Sequence, residues 1–461
     1  MADLHDEPHT LPEVGELDDE AHAARPARGT GPAAAKAARH GRNARPTEST
    51  GRAARTRNPE GARGPGDARG PEGARSPVGT WNPEGARGPE GARGPGDARG
   101  PEGARSPEDT RNPEGARGCG DGRGGAGSAL ERARELLAGH PVADGYSGLP
   151  WALRHLPWYD LQFGESALST DVPRLREGHV GALLWSLHLP EGLAAGRAVG
   201  ATLEQLDLVR SVIDAHPEGL RLARSAGQVI DARNCGRVAV VLGPATAAAL
   251  DDSLSILRVL HSLGLRVLTL VGASWADGAG LTRFGEEVVR EMNRLGVLAD
   301  LSGTGEAVVG RVLALSKTPV VFTRSAARAL RPHPCNLSDA QLAELGAAKG
   351  LCMVPLTAEQ TGPDVRDVAD HLDHVRAVAG PDCVGLSGTH DSGAAHPQGL
   401  TDASGYPHLI AELLDRGWPE TDITLLTWGN IQRVLRTADF TARAVQDRRK
   451  PSTARIEELD G

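Results

Sequence analysis

His390 and Asp391 stand side by side in the string LSGTHDSG, and an imidazole beside a carboxyl is the pairing that general acid–base chemistry uses. Arg324 in VFTRSAAR adds a permanent cation, and Tyr146 in DGYSG and Thr389 add hydroxyls. If the fold brings them together they form a cationic, hydrogen-bonding pocket suited to a small carboxylate, a phosphate or a peptide end. The plainer alternative is a set of polar rim residues around an emptied site. His371 and His374 in HLDH lie three apart on one helix face, as two metal ligands could; they read here as a helix surface feature. Cys335 in HPCN has only His333 close by, which falls short of an assured thiol–imidazole pair. His188 closes an apolar run and reads as a satisfied strand-end residue.

Something must position these groups, and the chain supplies short apolar runs at regular intervals. They are PVADGYSG (141–148), VGALLWSLH (180–188), RVAVVLG (237–243), RVLTLVG (266–272), GVLADLSG (296–303), PVVFTRS (319–325), GLCMVPL (350–356) and DCVGLSG (382–388). Helical patterns fall between them, with Gly264 and Gly296 as stops and Thr202 with Gln205 as a capping-box pair before LDLVRSVI. Runs that are apolar on both faces and alternate with helices imply parallel strands, and eight of them predict a closed (β/α)8 TIM barrel. In that fold the chemistry belongs at the C-terminal ends of the strands. An open doubly wound sheet is the alternative, but no Gly-rich phosphate loop follows the first strand.

The ordered α/β domain is expected over 128–440, opened by the helix ALERARELLAGH and followed by a C-terminal tail, 441–461. Before it, 1–127 reads as a disordered low-complexity arm carrying six-residue repeats over about 58–118, such as PEGARG and PGDARG. Gly recurs at every third place only briefly, and Asp67, Ser76, Asn82 and Asp97 break the phase that a collagen helix needs. A net charge of -9 argues against nucleic acid as a partner. No signal-like N-terminus and no apolar run of membrane-spanning length is visible, and five scattered Cys suit a reducing cytoplasm.

Longer strings carry a further signal. PVADGYSGLPWALRHLPWYDL, TDVPRLREGHVGALLWS, ATLEQLDLVR, FGEEVVREMNRLGVLADLS, VADHLDHVRAVAG and YPHLIAELLDRGW followed by GNIQRVLR resemble the membrane (renal-type) dipeptidase family, in that order. The closing ARIEELDG is similar to the ends of actinobacterial members. The resemblance implies a TIM barrel of the metal-dependent hydrolase type, often dimeric, holding two bridged zinc ions that activate water against a dipeptide bond.

The same resemblance locates the expected ligands, and few of the residues there can coordinate a metal. The first-strand His and Asp positions are held by Tyr146 and Gly148, the bridging Glu position by Ala245 and the His after it by Ala248. Gly272 replaces a substrate-holding His, Gly303 and Arg324 replace two ligand His, Cys335 a carboxylate-binding Arg, and Thr389 the Asp after the last strand. Methyl groups, hydrogens and a guanidinium offer zinc no lone pair. The sequence therefore predicts a dipeptidase-like pseudoenzyme with no cofactor and a binding or regulatory role. Two alternatives stay open: a zinc metallodipeptidase drawing ligands from elsewhere, and a metal-free enzyme built on Arg324, His390 and Asp391.

Overall fold

The computed structural model describes residues 124–461 apart from 165–166, 188, 190–192 and 194–195. His188 and the repeat-bearing arm through residue 123 lie outside the described residues. The first described helix spans Gly124–Gly139, opening four residues before Ser128.

Eight parallel strands follow: β1 (Val142–Ser147), β2 (Val180–Leu187), β3 (Val238–Thr246), β4 (Val267–Thr269), β5 (Leu298–Asp300), β6 (Val321–Phe322), β7 (Leu351–Pro355) and β8 (Val384–Ser387). Each pairs with the next, and Asp144 of β1 lies opposite Leu386 of β8, so the sheet closes on itself. This is a (β/α)8 barrel, as the alternating apolar runs predict. A short strand that periodicity does not reveal, Leu220–Leu222, takes the early edge of β3, where β4 does not reach. A small hairpin, Ala276–Asp277 with Gly280–Leu281, decorates the loop after β4.

The barrel is packed rather than hollow. Ala143, Ala182, Leu184, Ala239, Val241, Val267, Leu298, Val321, Leu351 and Met353 form one buried cluster that extends onto Trp428, Ile431, Val434 and Ala438. Met353 fits because Gly145 and Gly385 leave it room: a β-carbon on Gly145 would meet its sulfur at 2.5 Å. The last long helix, Asn430–Gln446, thus floors the barrel and runs past residue 440. A second, larger cluster lies between the strands and the surrounding helices. Each fully buried Leu or Val in these layers contributes about 1.5–3 kcal/mol.

Local rules set the helix ends. Thr282 caps Arg283–Leu295 by accepting from Gly285 N at 3.2 Å, and Gly296 ends it with φ 74°. Ser338 with Gln341 and Asp364 with Asp367 form capping boxes at two later helices. The expected box at Thr202 and Gln205 is absent, because that helix starts at Ala198. Thr202 lies inside it and donates back to the Ala198 carbonyl at 2.8 Å, while Gln205 accepts from Arg154. The C-terminal segment is tied down: Asp460 accepts from Thr282 Oγ1 at 2.6 Å and from Phe284 N at 3.1 Å. Among the described residues no helix is long and apolar enough to cross a membrane.

Candidate functional site at the barrel mouth

Near the C-terminal ends of the strands the inward positions turn polar. Asp300 at the end of β5 is fully buried and receives five hydrogen bonds. The donors are Thr269 Oγ1 at 2.5 Å, Thr323 N and Oγ1 at 2.9 Å each, Ser302 N at 3.2 Å and Ser302 Oγ at 2.7 Å. A carboxylate so enclosed is stabilised in place and has little lone-pair capacity left for a ligand. It also sets the site: Ser302 Oγ accepts from Arg324 N at 3.0 Å and so fixes the turn that carries the arginine.

Arg324 and Tyr146 are brought together. The guanidinium carbon lies 4.3 Å from the centre of the Tyr146 ring, a cation–π stack, and Tyr146 is buried. Arg324 Nε is buried with no hydrogen-bond partner among the described residues, and the side chain has no carboxylate within ion-pair distance among them. Thr389 joins through the backbone, its N–H donating to the Tyr146 carbonyl at 2.9 Å, while its hydroxyl turns to the Gly388 carbonyl at 2.6 Å.

His390 and Asp391 are both committed elsewhere. His390 is fully buried, its Nε2 lies 3.1 Å from the Leu400 carbonyl, and its ring stacks on His396 at 4.6 Å. Burial holds its imidazole down to about 3, so it is neutral at physiological pH. Asp391 accepts from Ser169 N at 2.8 Å and from the Thr170 hydroxyl, and burial raises its carboxyl to about 6. They face different partners, and His390 Nδ1 is buried with no hydrogen-bond partner among the described residues, so the two do not form an acid–base pair with each other.

Asp391 has a second effect through its backbone. A β-carbon on Gly148 would run into the Asp391 carbonyl oxygen and stand 2.8 Å from Ser392 Cα. Position 148 is therefore closed to any side chain by main chain, which cannot swing aside as a side chain can. Ala245 is buried, Ala248 is the nearest neighbour of a β-carbon built on Gly272 at 3.9 Å, and Gly303 has open space beside it. Gly272 and Gly303 also take positive φ, 80° and 75°.

Residues 130–449 match the family model for membrane dipeptidase (peptidase family M19). The chain belongs to the membrane dipeptidase family. It is 38% identical over 332 residues to dipeptidase 3 of Mus musculus, an alignment covering 67% of this chain and 66% of that protein. It is 32% identical to dipeptidase verJ of Clonostachys rogersoniana, covering 69% and 89%. Among solved structures it is similar to a metallo peptidase from Rhodobacter sphaeroides bound to a phosphinate mimic of L-Ala-D-Ala. That likeness has TM-score 0.60 and 26% identity, covering 65% of this chain and 99% of that one.

The family resemblance implies zinc, and the residues at the positions it assigns to the ligands do not fit that ion. Tyr146 stacks its ring under a cation, Gly148 is sterically shut, Ala245, Ala248 and Gly303 have no donor atom, and Arg324 is itself positive. Among the described residues no three His, Cys, Asp or Glu are grouped so as to hold a metal ion.

The remaining sequence candidates lie elsewhere. His371 is buried rather than on the helix surface, because its Nδ1 accepts from Ala327 N at 3.1 Å and so pins the loop after β6. His374 instead faces Asp339 at 2.7 Å. Cys335 has its thiol pushed up by burial, against the effect of nearby Arg324, and its N–H donates to His333 Nδ1 at 3.1 Å. Two residues escaped sequence reasoning, Asp144 and Asp300. Asp144 Oδ1 accepts from Tyr146 N at 3.0 Å and Gly388 N at 2.6 Å, and burial pushes its carboxyl up to about 6. A charge inside an otherwise apolar strand was the available signal for both.

Proposed function

We propose that this membrane-dipeptidase-family chain is a pseudoenzyme that binds a small carboxylate or peptide ligand at the barrel mouth, without the dinuclear zinc chemistry of its relatives. The observation that carries the reading is Gly148, whose only route to a ligating side chain is blocked by the backbone of Asp391 and Ser392. The donor set supports it, since zinc needs imidazole, thiolate or carboxylate groups converging on one point. Arg324 supports the binding half: a fixed cation with an unsatisfied N–H is a handle for a carboxylate.

Elemental analysis of the purified chain tests it, together with a dipeptide hydrolysis assay in added zinc. The expected result is less than one zinc per chain, no hydrolysis, and a melting temperature that zinc does not raise through binding linkage. Two tightly held zinc ions with turnover of small dipeptides would instead establish the zinc metallodipeptidase reading, which family membership and the dipeptidase relatives favour. Hydrolysis indifferent to chelators but lost on His390→Ala would establish metal-free chemistry.

A further inference from the structure

At the opposite end of the barrel, the starts of β1, β2 and β3 border a groove of about 270 Å³. Its apolar wall is made by Leu137, Pro141, Val172, Val180 and Val238, and its polar wall by Arg176, Arg233, Arg237 and His179. Three guanidiniums around one small groove repel each other, and this occurs in a chain whose acidic residues outnumber its Lys and Arg, 60 to 51.

Helix ends account for part of this. The helices Gly124–Gly139, Val172–Glu177 and Ala226–Asn234 all finish here, and the negative ends of their dipoles favour cations in the last turn. Arg233 is spent in that way: it donates to the Gly139 carbonyl and lies 5.4 Å from the Trp428 ring centre. Arg176 and Arg237 are not spent. Neither side chain has a hydrogen bond or an ion pair among the described residues, although both line the groove. His179 beside them holds a left-handed backbone, φ 54°, a conformation that costs energy for a non-glycine residue and often accompanies a binding site.

We infer that this groove is a second binding site, distinct from the mouth, for a small anion carrying a compact apolar body. Arg176 and Arg237 would take its carboxylate or phosphate group, and the Leu137, Val172 and Val238 wall its apolar part. Guanidiniums fork onto either oxyanion. A groove this size suits a small molecule rather than a protein segment.

The test is calorimetric titration of the full chain at low salt with phenyl phosphate, benzoate and inorganic phosphate. Phenyl phosphate or benzoate should show a saturable site that persists when Arg324 at the mouth is removed, at least fivefold tighter than inorganic phosphate, and weakening as salt is raised. Whichever of the two binds tighter identifies the oxyanion. Arg176→Ala and Arg237→Ala, both on side chains without partners, should each weaken binding at least threefold and together at least tenfold. Arg324→Ala, at the other end, should leave it unchanged. Absence of saturable binding, or binding indifferent to the double substitution, overturns the site. Inorganic phosphate binding as tightly as phenyl phosphate overturns the role of the apolar wall. Loss on Arg324→Ala with the double variant unaffected moves the ligand to the mouth.

Discussion

The carbonyl oxygen of Asp391 occupies the place where a β-carbon on Gly148 would stand. Restoring an aspartate there therefore requires the 391–392 backbone to move, and overpacking of this kind costs about 1–3 kcal/mol. Gly148→Asp should lower stability in denaturant unfolding and gain no zinc by elemental analysis. A Gly148→Asp protein that is as stable as the parent and loads zinc would show that the loop yields freely.

The stacked pair Arg324 and Tyr146 gives a second expectation. Titration of the parent with alanyl-alanine should show chelator-insensitive binding that weakens at least tenfold in Arg324→Ala, since a hydrogen bond to a charged group is worth about 1.5–3 kcal/mol. Equal affinity in both proteins would place the dipeptide elsewhere.

Protonation of His371 should be visible in stability. Burial holds its imidazole at about 4, below the ordinary 6.5, so the unfolded chain binds the proton more readily. The stability it contributes is complete above pH 6.5 and is lost as pH falls from 6.5 towards 4. Asp144 and Asp391, raised to about 6, act in the opposite sense and favour the folded state as pH falls from 6 towards 3.8. A comparison with His371→Asn separates the two. The parent's advantage over the variant should shrink by up to about 1.4 kcal/mol per pH unit across 6.5 to 4. An advantage independent of pH would mean that the imidazole is not held neutral.

Glu291 is fully buried, takes two hydrogen bonds from Arg294 at 2.9 and 2.8 Å, and accepts from Arg258 at 3.1 Å. Replacing it by Ala leaves the buried Arg294 charge uncompensated, a loss of about 3–5 kcal/mol. Chemical denaturation should register it, and a change under 1 kcal/mol would mean that water reaches Arg294.

What the sequence made legible follows from how local each signal is. The eight barrel strands show as apolar runs because both faces of each are covered, and Gly296 announces a helix end by its own conformational freedom. Leu220–Leu222 is too short for periodicity, and its partner, β3, begins only at Val238. Around the mouth, the positions that the resemblance assigns to metal ligands could be named residue by residue. The coupling of Asp300 to Thr269 and Thr323, 31 and 23 residues away, could not, because nothing near Asp300 in the chain names its partners. His390 looked like a mouth residue from its neighbour Asp391, yet the chain turns between them. Thr389 and Asp391 both take positive φ, and that turn points the imidazole at Leu400.

The filled interior from Ala143 to Met353, floored by Trp428 and Ile431, also makes the barrel an insulator between its two ends. No molecule can pass from one to the other through an interior packed at this density. Two ligands could then occupy one chain at once, each stabilising it by its own increment, with the melting temperature recording their sum rather than a competition.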